Sequence, residues 1–200
     1  MKRSIAAILI VVSLFLFVGL FPVHGEEEIY NSVVRLHILA NSDSEEDQAV
    51  KLKVRDAILD LTAPLLENCA DRDEAEAVLR AHMTDLTQTA KSVLEAEGFD
   101  DTVSIEFDNE EYPERTYDGF CFPSGTYLSM RVLIGDAEGH NWWCCLFPPI
   151  CRAAATVSKA EAEDTFISVG LTPSQYKIIT ESDKPVYKVR FKILEIFKKN

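Results

Sequence analysis

Val33-Val34-Arg35-Leu36-His37-Ile38-Leu39-Ala40-Asn41-Ser42-Asp43-Ser44-Glu45-Glu46-Asp47-Gln48 passes from one structural period to another. Val34, Leu36 and Ile38 alternate with Val33, Arg35 and His37, the period of two that predicts a strand over Ser32 to Leu39, with His37 on the side away from Val34 and Leu36 and open to solvent. Asn41, Ser42 and Asp43 end the strand, and Ser42-Asp43-Ser44-Glu45 has the spacing of a capping box. Val50, Val54, Ile58, Leu61 and Leu65 then recur at helical spacing with Lys51, Lys53 and Arg55 among them. This predicts an amphipathic helix from about Glu45 to Leu61, broken or kinked near Pro64. A strand that feeds a helix through a polar junction makes the chain mixed α and β.

Toward the C terminus, Asp71 with Glu74 forms a second cap, and Ala75, Val78, Leu79, His82, Leu86, Ala90 and Val93 make the stripe of one further helix that Gly98 ends. His82 lies on that apolar stripe, which assigns it to the core rather than to a ligand set. Beyond Gly98 the period returns to two. Val103, Ile105 and Phe107 alternate with Thr102, Ser104 and Glu106 as a half-buried strand, Arg115 to Tyr117 is a short one, and Asp118-Gly119 marks a turn. Tyr127 to Ile134 and Trp142 to Phe147 flank the turn Gly135 to Gly139 and are expected to pair as a hairpin, with Pro148-Pro149 stopping the second strand. Ser158 to Phe166 reads as a short polar helix and Pro173 as a break. In the tail, Tyr187, Val189, Phe191 and Ile193 alternate with Lys188, Arg190 and Lys192. That is either a strand with one basic face or, from Phe191 to Lys198, an amphipathic helix, lying against the acidic helices or an anionic membrane surface. The expected fold class is α+β: one domain over residues 26–200, a strand, two amphipathic helices and then an antiparallel sheet.

Upstream, Lys2 and Arg3 precede an uncharged run from Ser4 to Phe21. That order belongs to a secretory signal, and Val23-His24-Gly25 offers a cleavage point before Glu26. The alternative is an uncleaved anchor, since the run approaches the ~20 residues a spanning helix needs. Residues 1–25 are therefore a signal peptide or membrane anchor, and on both readings the chain after Gly25 is translocated.

The 200 residues carry 33 acidic and 20 basic side chains, a net charge of −13. A phosphate backbone demands clustered Lys and Arg, so the balance argues against nucleic acid as a partner. Asn41 to Glu114 holds 21 acidic and 6 basic residues, whereas Arg115 to Asn200 holds 9 and 11. The acidic half coincides with the helices, where it reads as a solvated face. The sequence has no Gly-rich phosphate loop, paired-carboxylate signature or Cys and His cluster of zinc spacing, so no cofactor and no metal are expected.

Gly139-His140-Asn141-Trp142-Trp143-Cys144-Cys145-Leu146-Phe147-Pro148-Pro149-Ile150-Cys151 gathers both tryptophans and three of the five cysteines. Neighbours on a strand point to opposite faces, so one Trp belongs in the core and the other at the surface, where a rigid Pro-Pro corner beside it suits a protein interface. Cys144 and Cys145 also face opposite ways, so only one can easily pair with Cys151; Cys144 is preferred. Such a bridge closes a loop shorter than the ~15 residues for which chain entropy gives about 3 kcal/mol. With five cysteines at least one is free or pairs between molecules. The rival reading is an extracytoplasmic cysteine hydrolase or thiol-redox protein, with Cys144 or Cys151 as nucleophile and His140 or His37 as base. A thiolate nucleophile needs an imidazole within hydrogen-bond reach, and on an extended strand His140 stands roughly 13 Å from Cys144. A non-enzymatic role is preferred.

Arg35-Leu36-His37-Ile38-Leu39-Ala40-Asn41-Ser42-Asp43-Ser44-Glu45-Glu46-Asp47-Gln48, running into Lys51-Leu52-Lys53-Val54-Arg55-Asp56, resembles the N-terminal signature of the stage II sporulation protein R family. The Gly139 to Cys151 segment resembles its second signature, and Arg115-Thr116-Tyr117 and Gly125-Thr126-Tyr127 fit between them. The resemblance runs from about Val33 to Arg152 and departs at Cys145, where an aliphatic residue is expected. It implies a non-enzymatic signalling protein of endospore-forming bacteria, exported from the forespore into the septal intermembrane space, cleaved or membrane-tethered. There it would activate a membrane-embedded aspartic protease of the mother cell, stage II sporulation protein GA, so that pro-sigma-E is processed. On this reading Arg35, Asn41, Ser42, Asp43, His140, Asn141, Trp142, Trp143, Pro148 and Pro149 meet the partner, and the family's later cysteine falls on Cys151, opposite Cys144.

Overall fold

The computed structural model describes residues 26–117, 120–150, 162–168 and 170–180. A short helix α1 (Glu26–Tyr30) leads into β1 (Val34–Leu39), then α2 (Glu45–Leu66), α3 (Arg72–Ala81) and α4 (Met83–Ala96). Strands β2 (Val103–Tyr112), β3 (Arg115–Tyr117), β4 (Phe120–Phe122), β5 (Gly125–Ile134) and β6 (Asn141–Phe147) follow, then α5 (Ala162–Ser168) and α6 (Pro173–Thr180). The class is mixed α+β. The segment 1–25, the turn at Asp118-Gly119 and the basic tail lie outside the described residues. Among the described residues no helix is long and apolar enough to cross a membrane.

The helix expected from Glu45 starts there, but its cap is Ser44 rather than Ser42: the Ser44 hydroxyl accepts the Asp47 amide at 3.0 Å. An N-cap of this kind contributes about 1 kcal/mol, so Ser44→Ala should lower the free energy of urea unfolding by that amount. The helix does not break before Pro64 but runs on to Leu66; Pro64 removes one intrahelical donor, and only Leu65 and Leu66 follow it in the helix. Buried Thr62 and Leu66 keep the last turn against the core. The single second helix is instead two. At His82 the backbone leaves helical values (φ −103°, ψ 16°), and Nδ1 bonds the Val78 carbonyl at 2.8 Å, satisfying the half-buried ring within its own turn. Pro173 does not break the chain but opens α6, the first helical position where its missing N–H costs nothing.

The sheet order is β2-β5-β1-β6. β5 and β6 do not form the expected hairpin: β1 lies between them, parallel to β5 and antiparallel to β6. The sheet is therefore mixed, not antiparallel. The reason is in β1 itself, whose residues Val34 to Ile38 are all buried; a strand covered on both faces belongs inside a sheet. For the same reason His37 is 6% exposed and not open to solvent.

One face of the sheet packs its Val34, Leu36, Ile38, Met130 and Val132 against Val54, Ile58, Leu79 and Leu86 of the helices. On the opposite face a second cluster joins Tyr112, Tyr127, Phe122 and Cys145 to Ile29 of α1, Phe166 of α5 and Ile179 of α6.

Candidate functional site

The loop after β1 and the start of β6 are laced into one platform. Buried Asp47, in the first turn of α2, accepts Ser42 Oγ at 2.5 Å and Asn41 Nδ2 at 3.2 Å. Asn41 Oδ1 accepts the Asp136 amide at 3.0 Å, while the Gly139 amide donates to the Ala40 carbonyl at 3.0 Å. Asp43 accepts from the His140 amide at 2.5 Å and also pairs with its ring Nδ1. Beneath them Lys51 Nζ, 4% exposed as a residue, donates to the His140 carbonyl and to Gln48 Oε1, both at 2.6 Å. Two glycines permit this approach. A Cβ on Gly135 (φ +58°) would meet the Asn41 side chain, and one on Gly139 would stand 2.2 Å from the Ser42 carbonyl oxygen.

Asp43, His140 and Asn141 are exposed on this platform, with Ser44, Asp136 and Glu138 exposed around them. Trp142 is half-buried over the helical core with the Arg55 guanidinium 5.1 Å from its ring centroid; Trp143, on the opposite face, is also half-buried, with Arg115 at 4.0 Å. The expected division into one core and one surface tryptophan is thus replaced by two that each present one covered side. Trp143 stacks on His37 at 5.4 Å. His37 Nε2 contacts Asn141 Oδ1 at 2.8 Å and Nδ1 contacts the Glu110 carboxylate at 3.0 Å, with Arg131 Nε 3.0 Å from the same carboxylate.

Hydrogen bonding from Ser42, with Asn41 and Ser44 adding to it, holds the Asp47 carboxyl below its ordinary value against the opposing effect of burial. At Glu110 burial works upward, but bonding from His37 and Ser129 and the charges of His37 and Arg131 outweigh it. Burial pushes the Lys51 ammonium down, partly offset by Asp43. Carboxyls depressed in the folded state stabilise it above their unfolded values of about 3.8 and 4.5, and that contribution is lost as pH falls through the folded values. The domain should therefore lose stability below about pH 4, and Asp47→Asn, weaker at neutral pH, should show a shallower loss when urea unfolding is followed from about pH 7 to pH 3.

Other expected site residues lie elsewhere. Arg35 is fully buried, so its side chain is not at the surface where the sequence reading placed a partner contact. It donates from Nε to the Cys144 carbonyl at 3.0 Å, with its guanidinium 4.5 Å from the ring centroids of Tyr112 and Phe122 and 5.1 Å from that of Tyr127. Pro148 is buried and Pro149 half-buried at the far end of β6, where Pro149, Cys144 and Leu146 line a small apolar crevice with Leu59 and Leu66 of α2. Cys144 is 1% exposed and disulfide-bonded, and its expected partner Cys151 lies outside the described residues. Burial pushes the Cys145 thiol up to about 12, with Arg35 opposing. Neither Cys144 nor Cys145 is therefore placed or poised as a nucleophile. Among the described residues no cluster of His, Cys, Asp and Glu could hold a metal ion.

Sequence reasoning passed over Asp47, Gln48 and Lys51, which build the platform. The signal was Lys51, a cation beside Val50 and Val54 on the apolar stripe.

Residues 30–157 match the model of the family described as Stage II sporulation protein R. The chain is 36% identical over 123 residues to Stage II sporulation protein R of Bacillus subtilis (strain 168), a match covering 62% of this chain and 55% of that protein. The chain thus spans little more than half the length of the curated relative it matches. No solved structure matches.

Proposed function

The chain belongs to the stage II sporulation protein R family, and from that membership we propose that it is an exported sporulation signal that acts by binding. Made in the forespore and translocated into the septal intermembrane space, it activates the membrane-embedded aspartic protease of the mother cell, stage II sporulation protein GA, so that pro-sigma-E is cleaved. In this reading Cys144 pairs with Cys151 and fixes the Pro148-Pro149 corner. The observation that carries the proposal is the meeting of two distant segments, Asn41 to Asp43 and Gly139 to Trp142, in one hydrogen-bonded platform that leaves Asp43, His140 and Asn141 outward. Both segments lie within the family match. A rigid polar rim beside a half-covered aromatic is what a protein interface uses as an anchor.

Co-expression of the full chain with the protease and pro-sigma-E, read by immunoblot of the processed sigma factor, tests this. The native chain should promote processing, and the double variant Asp43→Ala with His140→Ala should reduce it at least about tenfold, a loss of 1.4 kcal/mol or more in coupling, while keeping its thermal midpoint. Undiminished processing by a folded double variant would remove the platform from the interface. A native chain that neither bound the protease nor promoted processing would end the proposal.

A further inference from the structure

A polar ladder crosses all four strands of the sheet and ends at the platform. The Glu110 carboxylate of β2 meets Arg131 of β5, with Nε 3.0 Å away, and His37 of β1, whose Nδ1 lies 3.0 and 3.1 Å from its two oxygens. The last rung is on β6, where His37 Nε2 stands 2.8 Å from Asn141 Oδ1. A carboxylate and an amide oxygen only accept hydrogen bonds, so in this arrangement both ring nitrogens of His37 donate. The ring itself is stacked on Trp143, its cross-strand neighbour, with centroids 5.4 Å apart and 28° between planes. The two ends of this last contact differ in exposure. His37 is buried and meets nothing outside the molecule, whereas Asn141 is exposed.

We propose that His37 is a positioning residue of the partner surface: through it Asn141 presents hydrogen-bond donors, and the partner group that Asn141 meets is an acceptor. This rests on the binding role proposed above and gives the chemistry of one contact in it. An Asn side chain has one accepting end and one donating end, and without a fixed neighbour it turns either way. Here the Oδ1 end is turned inward, toward a ring held by Glu110 and by the face of Trp143. What the exposed residue leaves for a partner is Nδ2, with its two N–H groups. A backbone carbonyl or a carboxylate fits that end, while an ammonium or guanidinium group does not. Fixing the amide before the partner arrives also lowers the ordering cost of binding. The same reasoning explains an imidazole at a buried position of β1. A Phe would fill the space and stack, but only the imidazole donates on both sides.

Nuclear magnetic resonance of the full chain in detergent micelles tests the positioning without a partner. The Asn141 side-chain amide should have an order parameter of about 0.8 in the native chain and below about 0.6 in His37→Phe, which keeps a ring against Trp143 but has no donor. Asn141→Ala changes an exposed residue and should speed exchange of the His37 Nε2 proton at least about tenfold. A mobile native amide, or one equally ordered in His37→Phe, would overturn the proposal. Unchanged proton exchange in Asn141→Ala would do so as well, even if His37→Phe failed to fold. Processing of pro-sigma-E then reads the chemistry of the partner. Asn141→Asp keeps an oxygen for His37 and replaces the outward donor with an acceptor, so processing should fall at least about tenfold with a thermal midpoint no lower than native. Asn141→Ala should lower it about three- to tenfold, and adding His37→Phe to that variant should cost nothing more. Full processing by Asn141→Asp would overturn the acceptor, and a further loss in the double variant would make His37 a structural residue only. A native chain without processing would end the signalling reading, while the amide order would still decide the role of His37.

Discussion

Arg35→Ala should lower the thermal midpoint of this domain by roughly 6 to 20 °C. The Arg35 guanidinium fills a space bounded by Tyr112, Phe122 and Tyr127 and ties β1 to the Cys144 carbonyl of β6. Truncating a side chain of that size in a packed interior costs about 3 to 5 kcal/mol through lost contacts and residual cavity. In a domain of this length each kcal/mol moves the midpoint by about 2 to 4 °C. Arg35→Lys should recover little, because a compact ammonium cannot lie flat against the rings as the planar guanidinium does. Circular dichroism melts of the three proteins decide the matter. An unchanged midpoint for Arg35→Ala would show that the aromatic cluster closes without it.

Gly139→Ala should be the most damaging small change for signalling. The added methyl would stand 2.2 Å from the Ser42 carbonyl oxygen and 2.7 Å from its carbon, both backbone atoms that cannot rotate away. The loop Asn41 to Asp43 and the start of β6 must separate, which costs about 1 to 3 kcal/mol as overpacking does and pulls Asp43 off His140. Processing of pro-sigma-E in the co-expression assay should fall at least about tenfold, or 1.4 kcal/mol. Val103→Ala, in β2 at the edge of the sheet away from β6, should lose comparable stability and keep activation. Equal activity of both variants would separate the platform from signalling, and equal loss in both would make global stability the cause.

Much of the fold was legible because local patterns report local structure. The alternation over Val34 to Ile38, the start of α2 at Glu45 and the return to period two at Val103 all appear where the spacing puts them. The expected hairpin of β5 with β6 failed for a stated reason. Its turn, Gly135 to Gly139, satisfies its amides on Thr102, Ile134, Asn41 and Ala40, so it docks on the end of β1 and spans that strand. Two strands joined by a short glycine-containing turn look like a hairpin whether or not a third strand lies between them. The site was legible in part. The chemistry of Asp43, His140 and Asn141 stands in the sequence, but Arg35, read as a partner contact, is sealed inside, because a strand's burial depends on what covers its second face.

The sequence by itself determined the mixed α and β class, the strand-to-helix junction, the opposed faces of Trp142 and Trp143, and the family likeness, since each depends on residues adjacent in the chain. Only the tertiary structure decided that β1 lies between β5 and β6, that His37 and Arg35 are interior, and that residues 41–43 and 139–142 form one platform. Those outcomes depend on long-range contacts whose partners lie about a hundred positions apart. Local periodicity shows which side of a strand is apolar; only packing decides what lies against each side.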